Sequence, residues 1–347
     1  MRSKFLVFLL LAACIFSPAF MKTGDRSVSE KDVELIIPEG FPKPFYSFKN
    51  NPLTPARFEL GRELFYDPLL SKDSTVSCQS CHQRVAAFAH IDHALSHGID
   101  AKIGTRNVPS LQNMIWKDTY MWDGGVTHLE LQAINPITSP IEMNETLAHV
   151  VYKLRKSKKY RALFKKAYND TLINSERILK ALTQFTGLMI SCNSRYDRYM
   201  AGKDTFSMQE KNGRELFRDK CASCHTEPLF TDNSYRNNGL PPDTSLNDTG
   251  RGKISGIQKD DYTFKVPSLR NIEMTFPYMH DGRFRKLKEV MAHYSDAANH
   301  AAHADHALGK SANMTDKERK DIIAFLLTLT DKEFLNDKRF ADPGMVD

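Results

Sequence analysis

Cys78-Gln79-Ser80-Cys81-His82 and Cys221-Ala222-Ser223-Cys224-His225 decide how this chain is read. Each is a C-x-x-C pair with a histidine directly after it, the pattern for covalent attachment of a c-type haem. The two thiols add across the haem vinyl groups, and the adjacent histidine is then held beneath the iron as its proximal ligand. A zinc site or a redox dithiol would also use C-x-x-C. Neither accounts for the histidine after both pairs, and the pairs stand too far apart in sequence for one zinc knuckle. The expectation is two covalently bound haem c groups, one on Cys78, Cys81 and His82 and the other on Cys221, Cys224 and His225.

Outward from these motifs the chain repeats itself. Gly61-Arg62-Glu63-Leu64-Phe65 recurs as Gly213-Arg214-Glu215-Leu216-Phe217, each copy upstream of one motif. Downstream, Val108-Pro109-Ser110-Leu111 recurs as Val266-Pro267-Ser268-Leu269, and Tyr120-Met121-Trp122-Asp123-Gly124 as Tyr278-Met279-His280-Asp281-Gly282. The last two pairs share one offset, which Leu129 and Leu287 also fit. Unrelated coincidences would not keep a common register, so the chain reads as two homologous haem domains joined by helices.

Helix signals dominate. Thr54-Pro55 starts a helix through Phe58, Leu60, Leu64 and Phe65. Ser207 with Glu210 and Thr315 with Glu318 form capping boxes, the second opening an amphipathic helix through Ile322, Phe325, Leu326 and Leu329. Further helices are expected over about 145–168 and 175–200, while 83–107 and 226–265 are rich in Gly, Asn and Asp and read as loops. The His-rich stretch 293–306 has no clear period and reads as a solvated loop. The expected fold is mainly α, two cytochrome-c-like haem domains with loop-rich connections: 1–20 a signal segment, 21–50 an arm, 51–200 the N-terminal haem domain with connecting helices, 201–335 the C-terminal haem domain and 336–347 a tail.

The 347 residues are 41% hydrophobic and 26% charged, ordinary globular composition with material for two domains. The formal charge is +6, but Arg2 and Lys4 would leave with an export signal and two haems would add four propionates, so the holoprotein is close to neutral. No basic run interleaved with aromatics points to nucleic acid. Arg2 and Lys4 precede an apolar run from Phe5 to Phe20, short for a membrane span and suited to a signal segment, so a periplasmic location is expected. Within it, Leu11-Ala12-Ala13-Cys14 resembles a lipobox, which would make Cys14 a lipid anchor to the membrane; a plain cleaved signal and an uncleaved anchor are the other readings. Cys192, outside both motifs in an apolar helical stretch, reads as a buried thiol.

Residues 53–335 resemble the bacterial dihaem cytochrome c peroxidases and the related dihaem enzymes of methylamine utilisation, through both attachment motifs and the repeated Pro-Ser-Leu and Asp-Gly segments. The resemblance implies a peroxidatic N-terminal haem and a C-terminal haem that takes electrons from a small donor protein, a cytochrome c or a cupredoxin, in a chain that can form a homodimer. It places His97 as removable sixth ligand of the N-terminal haem and Trp122 between the haems as electron relay. It makes Glu142 the distal acid/base group, Gln132 its neighbour, and Asn107, Thr275 and Pro277 the positions of a calcium ion between the domains. Read without it, His97, with His90 and His93, is a solvated loop histidine, Trp122 a core or interface residue, and Glu142 a surface or capping carboxylate.

The chain departs from the peroxidase pattern once. Most peroxidases of the family use Met as the sixth ligand of the C-terminal haem, whereas here Tyr294 aligns, as in the methylamine-utilisation enzymes. Leu287, Val290, Met291 and Tyr294 share one helical face, so Met291 is the alternative ligand. A phenolate favours oxidised iron and a thioether raises the potential. Three functions follow: reduction of hydrogen peroxide to water with electrons from a periplasmic donor, a Tyr-ligated oxidase that modifies a partner protein, or a dihaem electron carrier. His97 favours the first and Tyr294 the second.

Overall fold

Thr54 ends an extended segment, and its hydroxyl accepts the Arg57 amide at 3.3 Å to open helix α1 (Pro55–Tyr66) in the computed structural model. The structure describes residues 29–296 and 304–344. The signal segment with Cys14 and part of the His-rich stretch lie outside them. Asn174 caps α2 (Ser175–Gly187), which packs along α1. Gly61 makes that contact: a Cβ there would lie 2.0 Å from the carbonyl oxygen of Ala181.

The second half repeats the arrangement. The capping box of Ser207 and Glu210 opens α3 (Met208–Lys220). Then come α4 (Leu287–Ser295) and α5 (Asp316–Leu327), the last opened by Thr315 with Glu318. Here α3 packs on α5 as α1 packs on α2, and Gly213 plays the part of Gly61, its missing Cβ 1.9 Å from the Asp321 carbonyl oxygen. Each half carries its own apolar core. One is built on Phe58, Leu64, Phe65, Phe88 and Phe185, the other on Phe217, Phe230, Ile322 and Phe325. Phe334 and Phe340, near the end of the chain, belong to the first core. The described part of the arm lies on the same core through Val33, Tyr46 and Phe48.

Among the described residues, strand pairing is confined to one short antiparallel ladder, Tyr235–Arg236 with Phe264–Lys265, and isolated bridges, so 83–107 and 226–265 are loop-rich as expected. Two expected helices are broken. Over 145–168 the chain forms Leu147–Lys156 and Lys158–Tyr168, because Ser157 turns extended and its hydroxyl caps the second helix. Over 175–200, α2 ends at Gly187 and a short helix resumes at Arg195–Met200. Between them the amides of Cys192 and Asn193 both donate to Asp331 Oδ2 at 2.9 Å, bonds a continuous helix would forbid. Cys192 thus sits in an irregular connector, half-buried, its thiol pushed up to about 11 by burial.

The halves meet across a buried polar seam related by the same offset as the sequence repeat. Asn113 and Asn271 both adopt left-handed backbone, φ +55° and +56°. The Gln112 side-chain amide donates to the Arg270 carbonyl at 2.5 Å, and the Asn271 amide donates to Gln112 and, at 3.0 Å, to Ser191 Oγ. Arg270, fully buried, is clasped by Asp197 at 2.9 and 2.7 Å.

Candidate active site

Cys78–Cys81 forms a single helical turn, and His82 leaves it with its ring turned inward. His82 Nδ1 lies 2.8 Å from the carbonyl of Phe88. A carbonyl can only accept, so Nδ1 carries the proton and Nε2 is left as a lone-pair donor, the tautomer an iron ligand needs. Burial pulls the His82 pKa down to about 4, so the imidazole is neutral. The second motif is built alike: His225 Nδ1 lies 3.1 Å from the Phe230 carbonyl and 3.2 Å from that of Pro267. Burial also lowers the His225 pKa. Cys78 and Cys221 are both pushed up to about 12 by burial. Redox dithiols lower the pKa of one cysteine, so these pairs suit haem attachment better than dithiol exchange.

A cavity of about 700 Å³ opens beside the first motif. Cys78, Cys81, His82, His97, Asn107, Trp122, Gln132, Glu142, Thr275 and Pro277, dispersed over two hundred residues of sequence, all line it. Its size, largely apolar wall and neutral nitrogen donor directly after two cysteines fit a haem. The distal wall is held by backbone pairing: the Ile99 amide donates to the Glu142 carbonyl at 2.8 Å. Gly98 permits that approach, since a Cβ there would lie 2.1 Å from the Ile141 carbonyl oxygen. Burial raises the Glu142 pKa, and no cation offsets it. That carboxyl is therefore disposed to hold a proton.

His97 lines the cavity and also belongs to a histidine cluster, its ring centroid 4.2 Å from that of exposed His93 and 6.5 Å from that of buried His90. The resemblance singles out His97 among the three, whereas their mutual contact depends on the fold of 83–107. Trp122 is half-buried between the halves, its indole N–H donating to the Asn107 carbonyl at 2.9 Å. The Asn107 side-chain amide donates to the Ala94 carbonyl at 2.9 Å, leaving its oxygen on the cavity side. Arg106, beside it, binds Asp248 at 2.6 and 2.7 Å and Asp123 at 2.6 Å, tying the 226–265 loop to this wall.

Tyr294 stands apart from that cavity, over the second motif. It packs on the second core, near enough to Cys221 and Cys224 for their charge to bear on it, and its hydroxyl takes a hydrogen bond from the Asn238 side chain. Burial pushes the phenol up to about 12 against that bond. Met291, one turn earlier on α4, is buried in the core with Phe217 and Phe325. Asn238 carried no sequence signal, because its role depends on how the 226–265 loop folds over α4.

The comparisons agree with this geometry. The di-haem cytochrome c peroxidase family model matches residues 55–205, and a cytochrome c model matches 210–330. The methylamine utilization protein MauG of Methylorubrum extorquens is 36% identical over 324 residues, 88% of each chain. The cytochrome c551 peroxidase of Nitrosomonas europaea is 32% identical over 280 residues, 78% of this chain and 79% of that one. A solved MauG-like protein associated with microbial copper homeostasis superposes with a TM-score of 0.81 at 31% identity, covering 89% of this chain and 98% of its own. With two histidine-terminated cysteine pairs in two repeated helical halves, the chain belongs to the di-haem cytochrome c peroxidase family, which includes the MauG proteins.

Proposed function

We propose that this protein reduces hydrogen peroxide to water in the cavity above His82, with Glu142 as the acid/base group. The reaction takes two protons and two electrons per peroxide and gives two waters. When bound, the haem supplies the peroxide-binding position and the redox chemistry of O–O cleavage. The supporting observation is the Glu142 carboxyl, its pKa raised by burial, in the same cavity as His82. Glu142 receives a proton from one peroxide oxygen and returns it to the leaving oxygen. Gln132 would orient peroxide in the same cavity, and His97 is the residue that would hold the iron in the resting protein. Asn107, Thr275 and Pro277 hold calcium between the halves. The work is done in the periplasm, with the chain exported on its signal segment. Glu142→Gln tests the acid/base role: with haem content unchanged, kcat/KM for peroxide should fall by about 10²–10⁴. Unchanged turnover would assign the proton transfer to another group.

The electron source is the second part of the proposal. Tyr294, placed by Asn238 beside Cys221 and Cys224, would ligate the C-terminal haem through an anionic oxygen and hold its potential low. Such a haem is a poor acceptor from a small cytochrome and is suited to drawing electrons from an oxidisable side chain of a partner protein. The greater identity to MauG than to the peroxidases points the same way. A pulldown of the peroxide-treated protein's partner followed by mass spectrometry should find an oxidised residue. Fast turnover with reduced cytochrome alone would instead support the donor-fed peroxidase.

A further inference from the structure

Lys117 lines the first cavity, and its ammonium reaches no carboxylate among the described residues. Its Nζ donates to the Ser110 carbonyl at 3.3 Å, and the charge that bears on it is a second cation, Lys265. Lys265 is satisfied, at 2.8 Å from Asp118 and 2.9 Å from the Asn233 carbonyl. Burial and the neighbouring ammonium together pull the Lys117 pKa down to about 8. A buried ammonium facing another is costly unless it is paired, and an anionic ligand would supply that pairing.

The internal symmetry says where that ligand sits. The 158-residue offset that pairs Gln112 with Arg270 carries Asn107 to Lys265, Thr275 to Lys117 and Pro277 to Thr119. Asn107, Thr275 and Pro277 are the positions proposed for calcium. Their mates across the seam therefore present two ammonium groups where the other side would present a divalent cation. Both sides line the cavity that holds His82, and Lys117 is near enough for its charge to bear on that imidazole.

We propose that Lys117 is the built-in counter-cation of the first haem, its ammonium taking a propionate carboxylate of the group carried by Cys78, Cys81 and His82. The bond is an N⁺–H···O⁻ contact, with Lys265 behind it held by Asp118. It fixes the rotation of the haem in its cavity and places a positive charge near the iron, which favours the reduced state. This goes beyond the proposed reaction and does not depend on it, because the haem must be held whatever its substrate.

The test is spectroelectrochemical titration of the holoprotein, resolving the two haems, for wild type, Lys117→Gln and Lys117→Arg. Lys117→Gln should lower the midpoint of the His82 haem so that the reduced-to-oxidised ratio at fixed poise drops at least about tenfold, 59 mV for one electron. Lys117→Arg keeps the charge and should stay within about threefold of wild type, and the His225 haem should not move in either. If Lys117→Gln fails to retain haem, Lys117→Arg carries the test: retention of haem and potential supports the proposal. An unchanged His82 haem in Lys117→Gln overturns it. So does an equal shift in both variants, a shift confined to the His225 haem, or loss of haem from Lys117→Arg.

Discussion

The backbone amide of Lys265 donates to the carbonyl of Trp122 at 2.7 Å, and the mate of that bond runs from the amide of Asn107 to the carbonyl of His280, also at 2.7 Å. The four residues are two pairs under one offset, so the Trp-Asp-Gly segment of one half and the His-Asp-Gly segment of the other are pinned by reciprocal bonds across the seam. Trp122 is thereby fixed between the halves by its own main chain as well as by its indole N–H.

That fixation makes Trp122 a testable relay. Trp122→Phe removes the 2.9 Å bond to Asn107 and should cost about 0.5–1.5 kcal/mol of stability while leaving both haem spectra intact. Electron equilibration between the haems, followed by stopped-flow after half-reduction, should slow markedly. An unchanged rate would show that electrons pass by another route.

The proposed ligand role of His97 can be tested at the first haem. If it caps the iron, the oxidised protein is six-coordinate and low-spin at that haem, and half-reduction opens it. His97→Gly should then give a high-spin haem that reacts with peroxide without pre-reduction. A high-spin N-terminal haem already present in the wild type would remove His97 from the ligand set and leave it a member of the cluster with His90 and His93.

The proposed ligation by Tyr294 makes a prediction about the potential of the second haem. Tyr294→Met replaces an anionic oxygen with a neutral thioether and should raise that potential by a sizeable part of the roughly 0.8 V that axial ligands span. Reduction by a small cytochrome should become faster. Should Tyr294→Phe leave the C-terminal haem spectrum as it was, the phenol is not a ligand and Met291 is next to be replaced.

Arg270 holds the seam. Arg270→Met leaves the Asp197 carboxylate buried and unpaired and should cost about 3–5 kcal/mol in chemical denaturation of the holoprotein. Burial opposes the Asp197 charge, but the Arg270 guanidinium and the Ser194 bonds outweigh it and hold the carboxyl below its ordinary range. A depressed folded-state value means the pair's contribution is present above the unfolded pKa, about 3.9, and is lost as pH falls through the folded one. The gap between wild type and variant should therefore persist at neutral pH and close only in acid.

Much of this was legible in the sequence for a physical reason: covalent attachment demands two cysteines and a histidine at fixed spacing, and a duplicated fold keeps its register. The helix starts at Thr54, Ser207 and Thr315 could be read because caps are local. What could not be read depends on distant partners. The break after Gly187 serves Asp331, far along the chain. Lys117 looks like any solvated lysine until the fold sets it in the wall of the His82 cavity beside Lys265. Asn238 meets Tyr294 only because a loop closes over α4.

The end of the chain carries one more consequence. Phe340 is 1% exposed among Phe58, Phe88 and Phe185, the hydroxyl of Tyr66 donates to its carbonyl at 2.5 Å, and the Gln79 side chain, inside the first attachment motif, donates to Asp342 at 3.1 Å. Residues 340–342 thus close over the first motif, Asp342 standing 263 positions from Gln79 in sequence. A chain made amino-terminus first cannot form these contacts until residues 340–342 have been made. Until then Tyr66 and Gln79 lack these partners, so the first half is completed by residues made after the core of the second, and the earlier motif is the later to be enclosed.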